Sequence, residues 1–309
     1  MNERHLTRLL APLGYPDRAP LPPGDDAGGV YHGGRALLLK TDGFRARDVR
    51  MRGMPEAALG WRAVMAVASD LLAKLAEPLG FVLAVFAEQV EAPLAWGEGA
   101  ARAARALGTP LLGGDTNRGE AALAAAGMGV SAAPLPRAAR PGDRVYLVGD
   151  RWGRSGAAID AHYRALDLSA FPAIREAGYW PRARRALLAL APLRGFLRGS
   201  ADSSDGLVET LYQLAEAGGV GIELFSIPLF ADVLAYANEA GVDPERLVLF
   251  GGEEYEAVLA VEPEGAPFVE GLLSSLGVPL FRVGRVVEGT GVTLRGERLL
   301  RAGYDHFAR

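Results

Sequence analysis

Acidic residues flanked by glycine or serine recur along this chain. They stand at Gly24-Asp25-Asp26-Ala27, Thr41-Asp42-Gly43, Ser69-Asp70, Gly113-Gly114-Asp115-Thr116, Asp202-Ser203-Ser204-Asp205-Gly206 and Gly252-Glu253-Glu254-Tyr255-Glu256. Most follow or end an apolar run, as residues 36–39 precede Asp42 and residues 107–112 precede Asp115. Carboxylates at strand ends beside glycines cannot all face bulk water, and clustered carboxylates repel one another. A divalent cation relieves both problems. Magnesium takes oxygen ligands, keeps several waters and is shared with substrate phosphates, so the pattern reads as a magnesium–nucleotide site.

Each stretch also has a local explanation. Asp205 fits an N-cap for a helix starting near Leu207, and Asp25 and Asp26 fit Asx turns. Asp115 after two glycines fits a turn, and Glu253 and Glu254 fit solvated loop acids. Asp70 lies inside an apolar helical pattern, where capping does not account for it. The local explanations must all hold at once, and that weighs toward chemistry. The glycines add to this: the 111–116 and 149–156 stretches read as turns whose backbone N–H groups can cradle phosphate oxygens, the second at a helix N-terminus.

The chain has 309 residues, which favours two domains. Half of it is hydrophobic and its net charge is -4, with no basic run or aromatic–basic interleave, so nucleic acid is not an expected partner. There is no cysteine, which excludes disulfides, thiolate catalysis and cysteine-held metals. The charged Met1-Asn2-Glu3-Arg4-His5 start lacks a signal-peptide core, and no apolar run reaches spanning length, so a cytoplasmic protein away from membranes is expected. Lysine stands only at Lys40 and Lys74, which reads as compositional bias toward arginine. It also means that no Gly-x-x-x-x-Gly-Lys phosphate loop exists. Metals and arginines must then neutralise any nucleotide.

The elements that would position these residues alternate between helix and strand. Helices are expected over 3–13, 56–75 (Trp61, Val64, Ala68 and Leu72 on one face), 94–107, 206–217, 232–240 and 267–276. Strands are expected over 30–40, 81–88, 121–132, 144–148, 220–225, 256–261 and 281–287. The fold class is therefore α/β (α+β) in two domains, broken at Pro134-Leu135-Pro136 ahead of the Arg140-Pro141-Gly142-Asp143 turn. Residues 151–199 carry no readable pattern.

Taken in order, the motifs resemble the thiamine-monophosphate kinases, of the superfamily that includes aminoimidazole ribonucleotide synthetase. Besides the acidic stretches, Leu59-Gly60-Trp61-Arg62-Ala63, the Arg140–Asp143 turn and the closing Gly303-Tyr304-Asp305-His306-Phe307 carry the likeness. Selenophosphate synthetases and hydrogenase-maturation relatives look alike but depend on a cysteine or selenocysteine that this chain lacks.

The resemblance implies an N-terminal ATP- and metal-binding domain (1–136) that forms a homodimer, covered by a C-terminal α/β domain (137–309). ATP is the implied co-substrate, thiamine monophosphate the acceptor and several Mg2+ ions the cofactors. Asp25, Asp26, Thr41, Asp42, Asp70, Asp115, Asp202 and Asp205 would hold metal, directly or through water. Gly113, Gly114, Asp115, Thr116, Arg137 and Arg140 would meet the nucleotide. Asp202, Ser204 and Asp205 would stand by the transferred phosphoryl group, and Asp48, Glu253 and Tyr304 by the acceptor. An acceptor phosphate oxygen is already ionised, so no strong general base is needed.

The chain also departs from the family. Residues 43–50 replace the usual Val-Glu-Gly-Val-His-Phe run, Lys74 falls in the segment that is usually Ala-Met-Gly, and Glu254 stands where Asp is common. A related enzyme with another small acceptor, or a non-catalytic nucleotide-binding paralogue, stays open on these residues.

Overall fold

The structure, a computed structural model, describes residues 3–303. Its first half runs α1 (Glu3–Leu10), β1 (Gly28–His32), β2 (Arg35–Arg45), α2 (Ala46–Val49), α3 (Glu56–Ala73), β3 (Glu77–Ala87), α4 (Glu91–Ala106), β4 (Leu111–Arg118) and β5 (Ala122–Ser131). The strands form one sheet in the order β1-β2-β5-β3-β4, antiparallel except for the β3–β4 pair. Helix α3 lies against one face of this sheet because its apolar residues cover most of its circumference. Val64, Val67, Ala68, Leu71 and Leu72 are all fully buried.

α4 crosses α3 at two glycines. A Cβ on Gly60 would stand 1.7 Å from Trp96 O, and one on Gly99 would stand 1.7 Å from Ala57 O. Only glycine permits that approach.

The second half runs β6 (Arg144–Val148), α5 (Arg154–Arg164), α6 (Pro172–Tyr179), a 3-10 stretch (Arg185–Phe196), β7 (Leu197–Ser203), α7 (Leu207–Gly218) and β8 (Gly221–Leu224). It continues through α8 (Ala231–Ala240), α9 (Pro244–Phe250), β9 (Glu256–Val261), α10 (Ala266–Ser275), β10 (Leu280–Val287), β11 (Gly291–Leu294) and β12 (Glu297–Arg298). Its strands make a seven-stranded sheet ordered β12-β11-β8-β10-β6-β9-β7. Two sheets with helices packed on them make this the mixed α/β architecture expected from the sequence.

A continuous core runs between the halves, joining Leu38 and Val67 with Tyr146, Val148, Leu259 and Val261. A second core lies within the C-terminal sheet and its helices. The unreadable segment 151–199 turns out to be helical and to bridge the halves. Arg185 Nη1 donates to Leu107 O at 2.9 Å, and Arg194 Nη2 donates to Pro134 O at 3.1 Å. Among the described residues no helix is long and apolar enough to cross a membrane.

Three local readings are corrected. Gly113-Gly114-Asp115 is no turn but the middle of edge strand β4, since glycine tolerates extended backbone as well as turns. Asp42 is not at a strand end, because β2 continues to Arg45. Asp205 is no helix cap: Gly206 takes the N-cap position of α7 and no side chain caps it.

Candidate active site

Four elements from both halves converge on one acidic cluster. The loop before β1 brings Asp25 and Asp26, β2 brings Lys40 and Asp42, the last turn of α3 brings Ser69, Asp70 and Lys74, and β7 brings Asp202. Strand periodicity selects among the β2 residues. Lys40, Asp42 and Phe44 alternate with Leu39, Thr41 and Gly43, the more exposed set.

Carboxylate oxygens of Asp26, Asp70 and Asp202 all lie within 4.8 Å of one another, and all three residues are buried. Cations separate them. Lys74 Nζ stands 2.7 Å from Asp25 Oδ1 and 2.7 Å from Asp26 Oδ2. Arg137 pairs with Asp26, and its backbone N–H donates to Asp25 Oδ2 at 2.9 Å. Lys40 Nζ stands 2.8 Å from Asp70 Oδ2, and Ser69 Oγ donates to Asp202 Oδ2 at 2.9 Å.

The electrostatics follow from burial and these neighbours. Burial, then the adjacent Asp202, pushes the Asp70 carboxyl well above the ordinary range. Burial, then Asp26, raises Asp202. Burial would raise Asp26 too, but Arg137 and Lys74 outweigh it and hold that carboxyl low. Burial opposes the charge on Lys40, but Asp70 and Asp42 more than compensate and raise it. Three carboxylates crowded this closely offer hard oxygen donors in the spacing that a small divalent cation needs, and magnesium fits that donor set.

One side of the cluster, with Lys40, Asp70, Arg137 and Asp202, forms the floor of a cleft of about 1100 Å³. Lys40, Thr41, Asp42, Asp70, Arg137, Asp202, Ser204 and Asp205 line its charged part. Phe44, Val49, Met51, Ile159, His162 and Tyr163 also line it, with Asp48 and Glu253 among them. The Ser203–Asp205 loop is tied to the loop before β9: Glu253 N–H donates to Ser204 O at 2.7 Å and Tyr255 N–H to Ser203 O at 2.8 Å. That second loop is strained, with φ of 57° at Glu253 and 51° at Tyr255. Strain of this kind persists where the surroundings over-determine it. Here buried Arg62 pairs with Glu253 and donates to Gly178 O.

The structure therefore brings together Asp25, Asp26, Thr41, Asp42, Asp48, Asp70, Arg137, Asp202, Ser204, Asp205 and Glu253. It does not bring the others. Gly113, Gly114, Asp115 and Thr116 lie on exposed β4. That strand is three places from β2 in the sheet, about 14 Å at normal strand spacing. Arg140 is exposed, and its backbone N–H is engaged by Asp143 Oδ2 at 2.7 Å in the turn before β6. Tyr304 and His306 lie outside the described residues. The 149–156 turn is filled from within the chain: a Cβ on Gly149 would stand 2.1 Å from the Glu256 carboxyl, and Asp150 N–H donates to Glu256 Oε1 at 3.3 Å.

Lys40, Lys74 and Arg62 carried no role in the sequence reading. The available signal was that only two lysines exist among 33 basic residues. Glu254, which resembled a solvated loop acid, is fully buried, and so is Glu256 at the start of β9. Burial pushes Glu254 up to about 8, and pushes Glu256 up to about 7 against the pull of Arg184.

The chain matches the AIR synthase related protein N-terminal domain over residues 24–131 and the C-terminal domain over residues 140–297. It is 35% identical to the thiamine-monophosphate kinase of Halobacterium salinarum, over 99% of this chain and 100% of that one. The crystal structure of tt0281 from Thermus thermophilus superposes with a TM-score of 0.92 at 57% identity, covering 97% of this chain and 98% of that one. AaThiL complexed with AMPPCP and TMP superposes with a TM-score of 0.86 at 26% identity, covering 99% and 97%.

Glu254 supplies a pH test. Its folded-state value, about 8, lies above the ordinary 4.5, so the folded state binds the extra proton between those values. Its contribution to stability is complete below pH 4.5 and is lost as pH rises through about 8. Urea unfolding at a series of pH values should show the Glu254→Gln variant losing less stability than wild type across that window. Parallel curves would contradict the assignment.

Proposed function

The chain belongs to the thiamine-monophosphate kinases, within the AIR synthase related family, and from that premise we propose that its cleft moves the γ-phosphoryl of ATP directly onto the phosphate of thiamine monophosphate. It is a phosphotransferase with a phosphate group as acceptor. The observation that carries the reading is the carboxylate trio Asp26, Asp70 and Asp202, of which Asp70 and Asp202 line a cleft large enough for two substrates.

Asp26, Asp70 and Asp202 would hold magnesium, with Asp42 and Asp205 on the cleft wall for further ions. Bound there, magnesium neutralises charge shared between the donor and acceptor phosphates. The chain's own residues do the rest. Arg137 and Lys40 offer positive charge along the same cleft, so the two anionic substrates meet less repulsion. Ser204 and Asp205 stand where the backbone bonds to the 253–255 loop hold them in register, which suits an in-line geometry that depends on positioning. No base is required of the protein, because the attacking oxygen is already an anion at neutral pH. The apolar wall formed by Phe44, Val49, Met51 and Ile159 suits the organic part of the acceptor and keeps water from competing. An ATP-using enzyme of this kind fits a cytoplasmic location.

A homodimer completes the reading. The sheet face turned away from α3 carries Leu39 at 61%, Val82 at 40%, Leu112 at 67% and Met128 at 38% exposure. Leu39 pairs with Met128 across the strands, and Val82 pairs with Gly113 beside Leu112, so the patch is contiguous. An apolar sheet face of this kind is normally covered, and a second copy of the same sheet fits it. In strand register Asp115 lies opposite Ala84 and Ala84 opposite Ala124, with Gly43 at the end of the same row. The phosphate role expected of residues 113–116 would then be exercised toward the other copy.

Gly43, Phe44, Asp48, Val49 and Arg50 line the cleft, within the 43–50 stretch that differs from the family run, and that favours testing acceptors side by side. With ATP, magnesium and thiamine monophosphate the protein should form thiamine diphosphate, and Asp202→Asn should lower kcat roughly ten- to a hundredfold, as changes around metal sites do. Product from another small phosphate, and none from thiamine monophosphate, would move the acceptor while keeping the site.

For the dimer, Val82→Glu examined by light scattering should give the mass of one chain where wild type gives two. A wild-type protein that is monomeric at assay concentration would overturn that part.

A further inference from the structure

Among 33 basic residues, lysine appears only at positions 40 and 74, and both ammonium groups lie in the carboxylate cluster. Their surroundings differ. Lys74 is fully buried, and its Nζ meets Asp25 Oδ1, Asp26 Oδ2 and Ser200 O, each at 2.7 Å. Three oxygens satisfy its three N–H donors. Lys40 Nζ meets Asp70 Oδ2 at 2.8 Å, and its side chain keeps 23% exposure where it lines the cleft. A guanidinium is a planar fork, whereas an ammonium is a compact point charge on a flexible stem. Lysine therefore stands at the two places where a compact cation sits against the buried carboxylates.

We propose that Lys40 and Lys74 are tethered counter-ions of unequal permanence: Lys74 is a fixed cation between Asp25 and Asp26, and Lys40 is a placeholder on Asp70 that a divalent cation displaces into the cleft. The inference rests on the metal–nucleotide reading of the cleft. A cation shared by Asp26, Asp70 and Asp202 would lie close to Asp70 Oδ2, the oxygen that holds Lys40, and like charges so near repel strongly away from bulk water. Lys40 has open cleft to turn into, and Lys74 is enclosed by its three partners. Before the divalent cation arrives, the placeholder keeps the floor of the cleft from being an uncompensated negative charge. Lys40 is thus a positioning residue that sets how readily the site accepts metal.

The composition makes this directly readable. Protein labelled with 13C at lysine Cε gives one resonance for each of two lysines, assigned with Lys40→Arg and Lys74→Arg. Magnesium is added without nucleotide while calorimetry follows its binding. The Lys40 signal should move with saturation and the Lys74 signal should stay. Lys40→Met, lacking the competitor, should bind magnesium about tenfold or more tightly than wild type, a modest share of what a charge at that distance can exert.

Magnesium that binds without moving the Lys40 signal, or that moves both signals alike, overturns the proposal. So does equal affinity in wild type and Lys40→Met. Absence of magnesium binding in every form overturns it together with the metal reading, which the thiamine diphosphate assay judges separately.

Discussion

The mutual repulsion of Asp26, Asp70 and Asp202, buried and held within 4.8 Å of one another, is the constraint on which the rest of the molecule depends. A buried charge left uncompensated costs about 3–5 kcal/mol, and here three lie together. Every element that reaches the cluster brings either an acid or its compensation. The loop before β1 and the last turn of α3 deliver both in register, since Lys74 follows Asp70 by one helical turn and reaches back to Asp25 and Asp26. β7 adds Asp202 from the other half of the chain, and Ser69 meets it across the junction.

The cluster is also what couples the two sheets. Lys74 donates to Ser200 O, and Ser200 Oγ donates back to Ala73 O, so the end of α3 and the start of β7 are bound by reciprocal hydrogen bonds beside the acids. Arg185 and Arg194 repeat the tie at the periphery. A cleft whose floor and walls both draw on the two halves can hold two substrates only if the halves stay in register. The strained 253–255 loop, fixed to Ser203 and Ser204 by backbone bonds and to α3 through Arg62, completes that alignment. Rigidity at the floor is what phosphoryl transfer asks for, because little covalent chemistry falls to the protein and most of the barrier is lowered by placement and charge.

Much of this was legible in the chain itself. The acidic stretches named the cluster because a carboxylate inside an apolar helix, as at Asp70, has no cheap local explanation. The mixed α/β class followed from the alternation of strand and helix patterns. What escaped had physical reasons. Gly113–Thr116 looks like a turn because glycine fits turns and strands alike, and only pairing with β3 made it an edge strand. Arg140 looked like a phosphate ligand, yet it is exposed in the turn before β6 and is not among the residues that line the cleft. Glu254 looked solvated because local sequence does not report burial imposed by distant elements. Residues 151–199 form α5, α6 and a 3-10 stretch whose arginines serve the interface between the halves, a role that leaves no periodic signature. The two lysines looked like noise in an arginine-rich composition until their ammonium groups were located.

Where divalent cations bind decides whether the carboxylate trio is a metal site. Crystals grown with Mn2+ and a non-hydrolysable ATP analogue, measured at a wavelength where manganese scatters anomalously, locate them directly. The account predicts an anomalous peak bounded by Asp26, Asp70 and Asp202, with the analogue's terminal phosphate beside it. Manganese found only at surface carboxylates, with the trio still closed around its lysines in the presence of nucleotide, would contradict it.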